Sequence, residues 1–139
     1  MRLTKNKSVY EKDITGFKGN ADSVVFPESI KEIKDLIDFT KLDIVPRGAG
    51  TSFVGGCAPD NSIVIDMSKM NKIIEIISSR KTGYIEAGVT LNQLNQELEK
   101  YGLEFPINCL FPDIQTIGGL IATNFSGDRE LKYGRISNW

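Results

Sequence analysis

The sequence contains no histidine. That excludes the Ser-His-Asp triad, any histidine-containing zinc site and an imidazole general base. Proton transfer would fall to Asp, Glu, Lys or Tyr. Cysteine is scarce: Cys57 and Cys109 are the only two, far apart and outside any CxxC spacing, and they read as ordinary reduced thiols. Neither sign of charge dominates, with 17 Lys and Arg against 18 Asp and Glu and a formal net charge of −1. No basic patch stands out, so nucleic acid is not expected as a partner. No apolar run approaches the roughly 20 residues that cross a bilayer. The opening MRLTKNKSVYEKD is polar and lacks the apolar segment of a signal peptide. A soluble, cytoplasmic protein without a transmembrane segment is expected.

What remains is an ordinary globular composition. The 139 residues are 40% hydrophobic and 25% charged, enough for one compact domain or two small lobes. Residues 1–21 are polar, with Gly16, Gly19 and Asn20, and read as a loose arm or short helix, the arm ending at residue 22. Ser23 to Phe26 reads as a strand closed by Pro27. Ser29 and Glu32 form a capping-box pattern, with Ile30, Ile33 and Leu36 or Ile37 at helical spacing behind it. Asp43 to Pro46 reads as a second strand. This strand–helix–strand order predicts a βαβ unit with parallel pairing over about Ser23 to Asp66, Ser62 to Asp66 being a third, buried strand. Lys72 to Ser78 and Thr82 to Ala87 predict a hairpin. Thr90 and Gln93 form a second capping-box pattern, followed by a stripe of Leu91, Leu94, Leu98 and Tyr101 and a C-terminal Gly102. From Phe105 the chain reads as loop, with a short buried helical turn over Ile117 to Ala122. Leu131 to Arg135 reads as a turn leading to further structure.

Two glycine clusters stand out. The first, Arg47-Gly48-Ala49-Gly50-Thr51-Ser52-Phe53-Val54-Gly55-Gly56, follows a predicted strand. Glycines permit close approach and left-handed backbone, so successive N–H groups can face one anion, and Thr51 and Ser52 add hydroxyls. A P-loop is excluded, because no lysine lies between Arg47 and Asp66. A Rossmann fingerprint is excluded because Phe53 stands where its third glycine belongs. A structural turn and a phosphate cradle both fit the composition. The second cluster, Thr116-Ile117-Gly118-Gly119-Leu120-Ile121-Ala122-Thr123-Asn124, fits either tight backbone packing or a flat ligand lying against the backbone.

Taken in order, PRGAGTSFVGG, IEAGVTLNQLNQELEKYGLEFP and TIGGLIATNFSGDRELKYG resemble the FAD-binding (PCMH-type) domain of the FAD-linked oxidases. The likeness is to the branch of the glycolate oxidase D-subunit and the D-lactate and D-2-hydroxyglutarate dehydrogenases, and it covers about Ser23 to Trp139. The resemblance implies an α+β fold over residues 23–139, with FAD held between two lobes. It implies that Pro46, Arg47, Gly48, Ala49, Gly50, Thr51 and Ser52, with Gly55 and Gly56, wrap the pyrophosphate. It further implies that Thr116, Ile117, Gly118, Gly119, Ile121, Ala122, Thr123 and Asn124 line the flavin and ribityl chain. The activity implied is oxidation of a 2-hydroxy acid.

There are departures. Asn124-Phe125-Ser126-Gly127 stands where the family often has Asn-Ala-Gly-Gly, so Phe125 either obstructs the flavin site or packs elsewhere. Ile107 to Asp113 is more apolar than the usual Asp-Pro type segment, leaving Asp113 a doubtful equivalent. Some relatives attach flavin covalently through a histidine in the first loop. Thr51 or Ser52 occupies that place here, implying non-covalent FAD. The resemblance stops inside the second lobe, so an N-terminal fragment is expected, with the substrate domain missing or supplied by a partner chain. Such a fragment would be inactive alone and would expose strand edges, making a homodimer possible. The alternative is a remnant that folds without binding flavin.

Overall fold

The computed structural model describes residues 2–4 and 6–139, leaving Met1 and Lys5 of the expected arm outside the described residues. The chain forms an α+β fold with two compact units, divided between Met70 and Asn71.

The first unit is built on a four-stranded sheet. Its elements are β1 (Arg2–Leu3), β2 (Asn20–Phe26), α1 (Ile30–Phe39), β3 (Ile44–Arg47) and β4 (Asp60–Asp66). The strand order is β1-β2-β4-β3, with β1 antiparallel to β2 and both β2 and β3 parallel to β4. The predicted parallel unit is present, but β2 and β3 do not pair with each other. β4 lies between them, Val64 opposite both Val24 and Val45. Its run from Ser62 to Asp66 is buried throughout, as a strand covered on both faces requires. β3 carries Pro46, which has no N–H for a second ladder and therefore suits an edge strand.

Each face of this sheet has its own apolar cluster. Val25, Ile63 and Ile65 pack with Ile33 and Leu36 of α1. Ala21, Val24 and Val64 pack on the other face with Tyr10 and Phe26. The arm is thus neither wholly loose nor helical. Arg2–Leu3 is a strand, Lys12 and Lys18 form an antiparallel bridge, and Tyr10 covers the sheet. Polar composition hid this, because much of what the arm contributes is backbone. At the start of α1 the Ser29 hydroxyl accepts from the Glu32 N–H, while the Glu32 carboxylate accepts from Glu28. Ile33 and Leu36 face the sheet, whereas Ile30 and Ile37 stay exposed.

The second unit opens with the predicted hairpin, β5 (Ile73–Ile77) and β6 (Thr82–Ile85). A 3-10 turn joins them, and Lys81 closes it in the left-handed region at φ 53°. Next come α2 (Leu91–Glu99), α3 (Ile117–Ala122) and α4 (Glu130–Tyr133). The turn expected over Leu131 to Arg135 is therefore partly helical, α4 running through Tyr133. The core gathers Val89, Leu91, Leu94, Ile107, Ile117, Leu120 and Ile136. Of the stripe on α2, Leu91 and Leu94 are buried, Leu98 packs against them and Tyr101 is exposed. The capping box is closed from both sides: Thr90 Oγ1 accepts from the Gln93 N–H, and Gln93 Oε1 accepts from the Thr90 N–H. Beyond α2, Gly102 at φ 66° takes the left-handed turn that lets Leu103 bond back to Leu98.

Because both halves of this box are made, replacing Thr90 should be felt. Thr90→Ala is expected to cost about 1 kcal/mol, read as a lower urea midpoint with an unchanged denaturant slope.

Candidate functional site

The first glycine loop leaves β3 at Arg47, and Arg47 determines how it is held. The side chain is only 7% exposed. Nη1 donates to the carbonyls of Tyr10 (3.3 Å) and Cys57 (3.1 Å), and Nη2 to those of Val9 (3.2 Å) and Lys12 (3.1 Å). The guanidinium also lies over the Tyr10 ring, 5.6 Å from its centroid. Among the described residues it forms no ion pair. Its desolvation, ordinarily a cost of several kcal/mol, is offset chiefly by carbonyl dipoles, with the Tyr10 ring and the Cys57 sulfur beside them. Reaching Cys57 closes the neck of the loop, and reaching Val9, Tyr10 and Lys12 ties that neck to the arm.

Gly50 lies directly over this guanidinium. Its φ is 73°, and a Cβ there would come within 2.6 Å of Arg47 Cζ. The glycine makes room for a locked cation as well as for a close-approaching ligand. Downstream, Ser52 Oγ accepts from the amides of Val54 (3.3 Å) and Gly56 (3.1 Å). Gly55, at φ 75°, donates its amide to Asp13 Oδ2 at 2.8 Å. What is left unbonded matters most. Among the described residues, the successive amides of Ala49, Gly50, Thr51, Ser52 and Phe53 have no hydrogen-bond acceptor. A run of free N–H groups on a loop backed by a buried cation suits an anion rich in oxygen acceptors. A diphosphate has that chemistry.

In the second unit the second cluster divides by position. Thr116 caps α3 through Oγ1 to the Gly119 N–H, and Ile117 and Leu120 enter the core. Gly118 bonds to the Ala87 carbonyl, and a Cβ on it would come within 2.8 Å of Ala87 Cβ, so this glycine serves packing. Gly119, Ile121, Ala122, Thr123 and Asn124 are exposed, Ile121 by 60%. Thr123 Oγ1 donates to Gly119 and Leu120 carbonyls, and Asn124, at φ 45°, accepts the Ser137 amide. Phe125 packs against the core instead of joining the exposed face. Asp113 accepts from Asn92 Nδ2 at 2.6 Å.

Neither cysteine forms a disulfide; Cys57 is buried, and burial raises the thiol of the half-buried Cys109 above its ordinary range. Among the described residues no cluster of Cys, Asp and Glu could hold a metal. No described helix is long and apolar enough to cross a membrane.

Residues 21–139 match the family described as FAD binding domain. The chain belongs to that family. Its cofactor is accordingly FAD. The FAD-binding domain is 36% identical over 120 residues to D-lactate dehydrogenase of Archaeoglobus fulgidus, covering 84% of this chain and 27% of that protein. It is 37% identical over 124 residues to D-2-hydroxyglutarate dehydrogenase of Escherichia coli, covering 84% of this chain and 12% of that protein. With the glycolate oxidase subunit GlcD of Bacillus subtilis it shares 34% identity over 131 residues, covering 91% and 28%. A solved alkyldihydroxyacetonephosphate synthase superposes with a TM-score of 0.86 at 26% identity, over 98% of this chain and 31% of that one. The chain thus spans between 12% and 31% of the length of these relatives.

Sequence reading missed Asp13 and the arm carbonyls altogether. Backbone acceptors leave no trace in residue identity, and an aspartate in a polar arm is unremarkable. Arg47→Ala should orphan the carbonyls of Val9, Tyr10, Lys12 and Cys57 and destabilise the first unit by about 3 kcal/mol. Gly50→Ala should have a loss of similar sign, because the guanidinium has nowhere to move. Urea unfolding of both variants checks this, and an unchanged midpoint would contradict it.

Proposed function

We propose that this chain is the FAD-binding portion of a flavin-dependent oxidoreductase acting on 2-hydroxy acids of the glycolate or D-lactate type. The observation that carries the reading is the row of free amides from Ala49 to Phe53. The relatives named above support the substrate class, since those proteins are named for lactate, 2-hydroxyglutarate and glycolate chemistry.

In this reading the loop from Pro46 to Ser52, with Gly55 and Gly56, takes the diphosphate of FAD. Arg47 serves through its backbone and through the shape it imposes, its guanidinium being occupied. The hydroxyl of Thr51, which makes no bond of its own among the described residues, is available to a phosphate oxygen. From the second unit, Gly119, Ile121, Ala122, Thr123 and Asn124 are assigned to the flavin and its ribityl chain. Thr116, Ile117 and Gly118 set the backbone beneath them. Exposed apolar and small side chains suit the flat face of an aromatic ring system. The chemistry that FAD supplies when bound is acceptance of a hydride as a 2-hydroxy acid becomes a 2-oxo acid. These 139 residues contain no histidine, so they hold no imidazole to attach the flavin covalently or to take the hydroxyl proton. We assign substrate binding and the general base to a region outside them, supplied by continuing chain or by a partner.

Gel filtration of the purified chain after incubation with FAD tests the first half. The expected result is co-eluting flavin absorbance that is released on denaturation, as for a non-covalent cofactor. Elution without flavin would favour a folded remnant that has lost the cofactor. Dye reduction with glycolate or D-lactate tests the second half. No turnover is expected, because the positioning of substrate and the proton acceptor each contribute orders of magnitude. Steady turnover by this chain alone would overturn that assignment.

A further inference from the structure

The arm from Asp13 to Phe17 has no part in the function proposed above, yet it is bonded to the glycine loop. Asp13 is buried, 6% exposed. Its Oδ1 accepts from the Thr15 hydroxyl (2.6 Å), the Thr15 amide (2.9 Å) and the Phe17 amide (3.1 Å). Its Oδ2 accepts from the Gly55 amide (2.8 Å). These bonds, the Thr15 hydroxyl first, hold its carboxyl below the usual carboxylate range. The turn is closed by the Asp13 amide donating to the Phe17 carbonyl and the Gly16 amide to the Asp13 carbonyl. The Phe17 ring lies over Gly55, where a Cβ would stand 3.3 Å from Cδ1.

Gly55 ends the stretch that begins with the free amides of Ala49 to Phe53, and it does so in the left-handed region. Arg47 fixes the near end of that stretch. At the far end, Asp13 supplies the side-chain acceptor for the Gly55 amide. A carboxylate is an unexpected neighbour for an anion site, since its charge opposes binding of a phosphate. The structure spends that charge locally on donors from Thr15, Phe17 and Gly55.

We propose that Asp13 is a positioning residue for the diphosphate-binding loop: its carboxylate clamps Gly55 and so sets the row of free amides in the form that receives the anion. This rests on the reading of the loop as the diphosphate site. Two effects of opposite sign make the idea testable. If Asp13 acted only through its charge, Asp13→Asn would tighten anion binding. If it acts by clamping, the substitution costs the Gly55 bond and binding weakens.

The experiment is calorimetric titration of this chain with ADP and with inorganic pyrophosphate, for the unaltered protein, Asp13→Asn and Thr15→Val. Thr15→Val keeps the Asp13 charge but removes the hydroxyl that orients it, on an exposed residue whose replacement leaves the core untouched. About tenfold weaker binding of both probes is expected for Asp13→Asn, the worth of a hydrogen bond to a charged group, and a smaller loss in the same direction for Thr15→Val. Amide hydrogen exchange gives the accompanying signature: faster exchange at Gly55, with β4 still protected. Should Asp13→Asn fail to fold, Thr15→Val decides alone. Equal or tighter binding in a folded variant overturns the proposal and leaves the diphosphate site standing. Failure of the unaltered chain to bind either probe overturns both.

Discussion

A buried guanidinium that pairs with no carboxylate among the described residues is the constraint around which the first unit is arranged. Arg47 must find acceptors for its N–H groups, and backbone carbonyls supply them: Cys57 from the far side of the glycine loop, Val9, Tyr10 and Lys12 from the arm. Meeting that need accounts for several features. The loop is closed at its neck, the arm is held against the sheet, and Gly50 must lack a side chain. Carbonyls busy with Arg47 belong to the arm and to Cys57, and among the described residues the amides of Ala49 to Phe53 are left open. A positive charge beneath and free N–H groups above act in the same direction on an anion.

The second unit follows a different logic, in which packing and exposure are sorted along one short helix. Ile117 and Leu120 lie three positions apart and enter the core, while Ile121 and Ala122 remain outside. Gly118 is pressed against Ala87, whereas Gly119 meets no more than the Thr116 hydroxyl. Adjacent glycines therefore have unlike causes. The first permits helix and strand-end backbones to approach, and the second leaves an accessible surface. Of the two readings of the cluster weighed from sequence, tight backbone packing holds at Gly118, while Gly119 is left accessible. Phe125, which stands where relatives often carry alanine, adds to the core and leaves that surface clear.

Much of the local structure was legible because its causes are local. Ser29 and Thr90 start helices, since a hydroxyl three residues before an N–H can satisfy it wherever the rest of the chain goes. The hairpin of β5 and β6 follows from two β-rich runs separated by a short turn, and Gly102 ends α2 as a residue tolerant of positive φ should. The two glycine motifs, read in order, were enough to point to a FAD-binding domain. Less legible was the pairing partner of each strand. Residues 23–26 and 43–46 flank a helix and suggest a contiguous pair, yet β4 separates them.

The helix caps, the hairpin, the burial of β4 and the placing of the glycine loop directly after a strand follow from residue order. Each depends on neighbours within a few residues or on apolar periodicity. The strand order, the role of the arm and the fate of Arg47 and Asp13 were settled by long-range packing. The order turned on β4 being apolar on both faces and on Pro46 lacking a second ladder bond, which matter only once strands compete for the centre of a sheet. The two charged residues were decided by burial. A guanidinium or carboxylate removed from water must find its bonds in whatever surrounds it, and the arm carbonyls that Arg47 reaches and the Gly55 amide that Asp13 accepts lie more than thirty positions away.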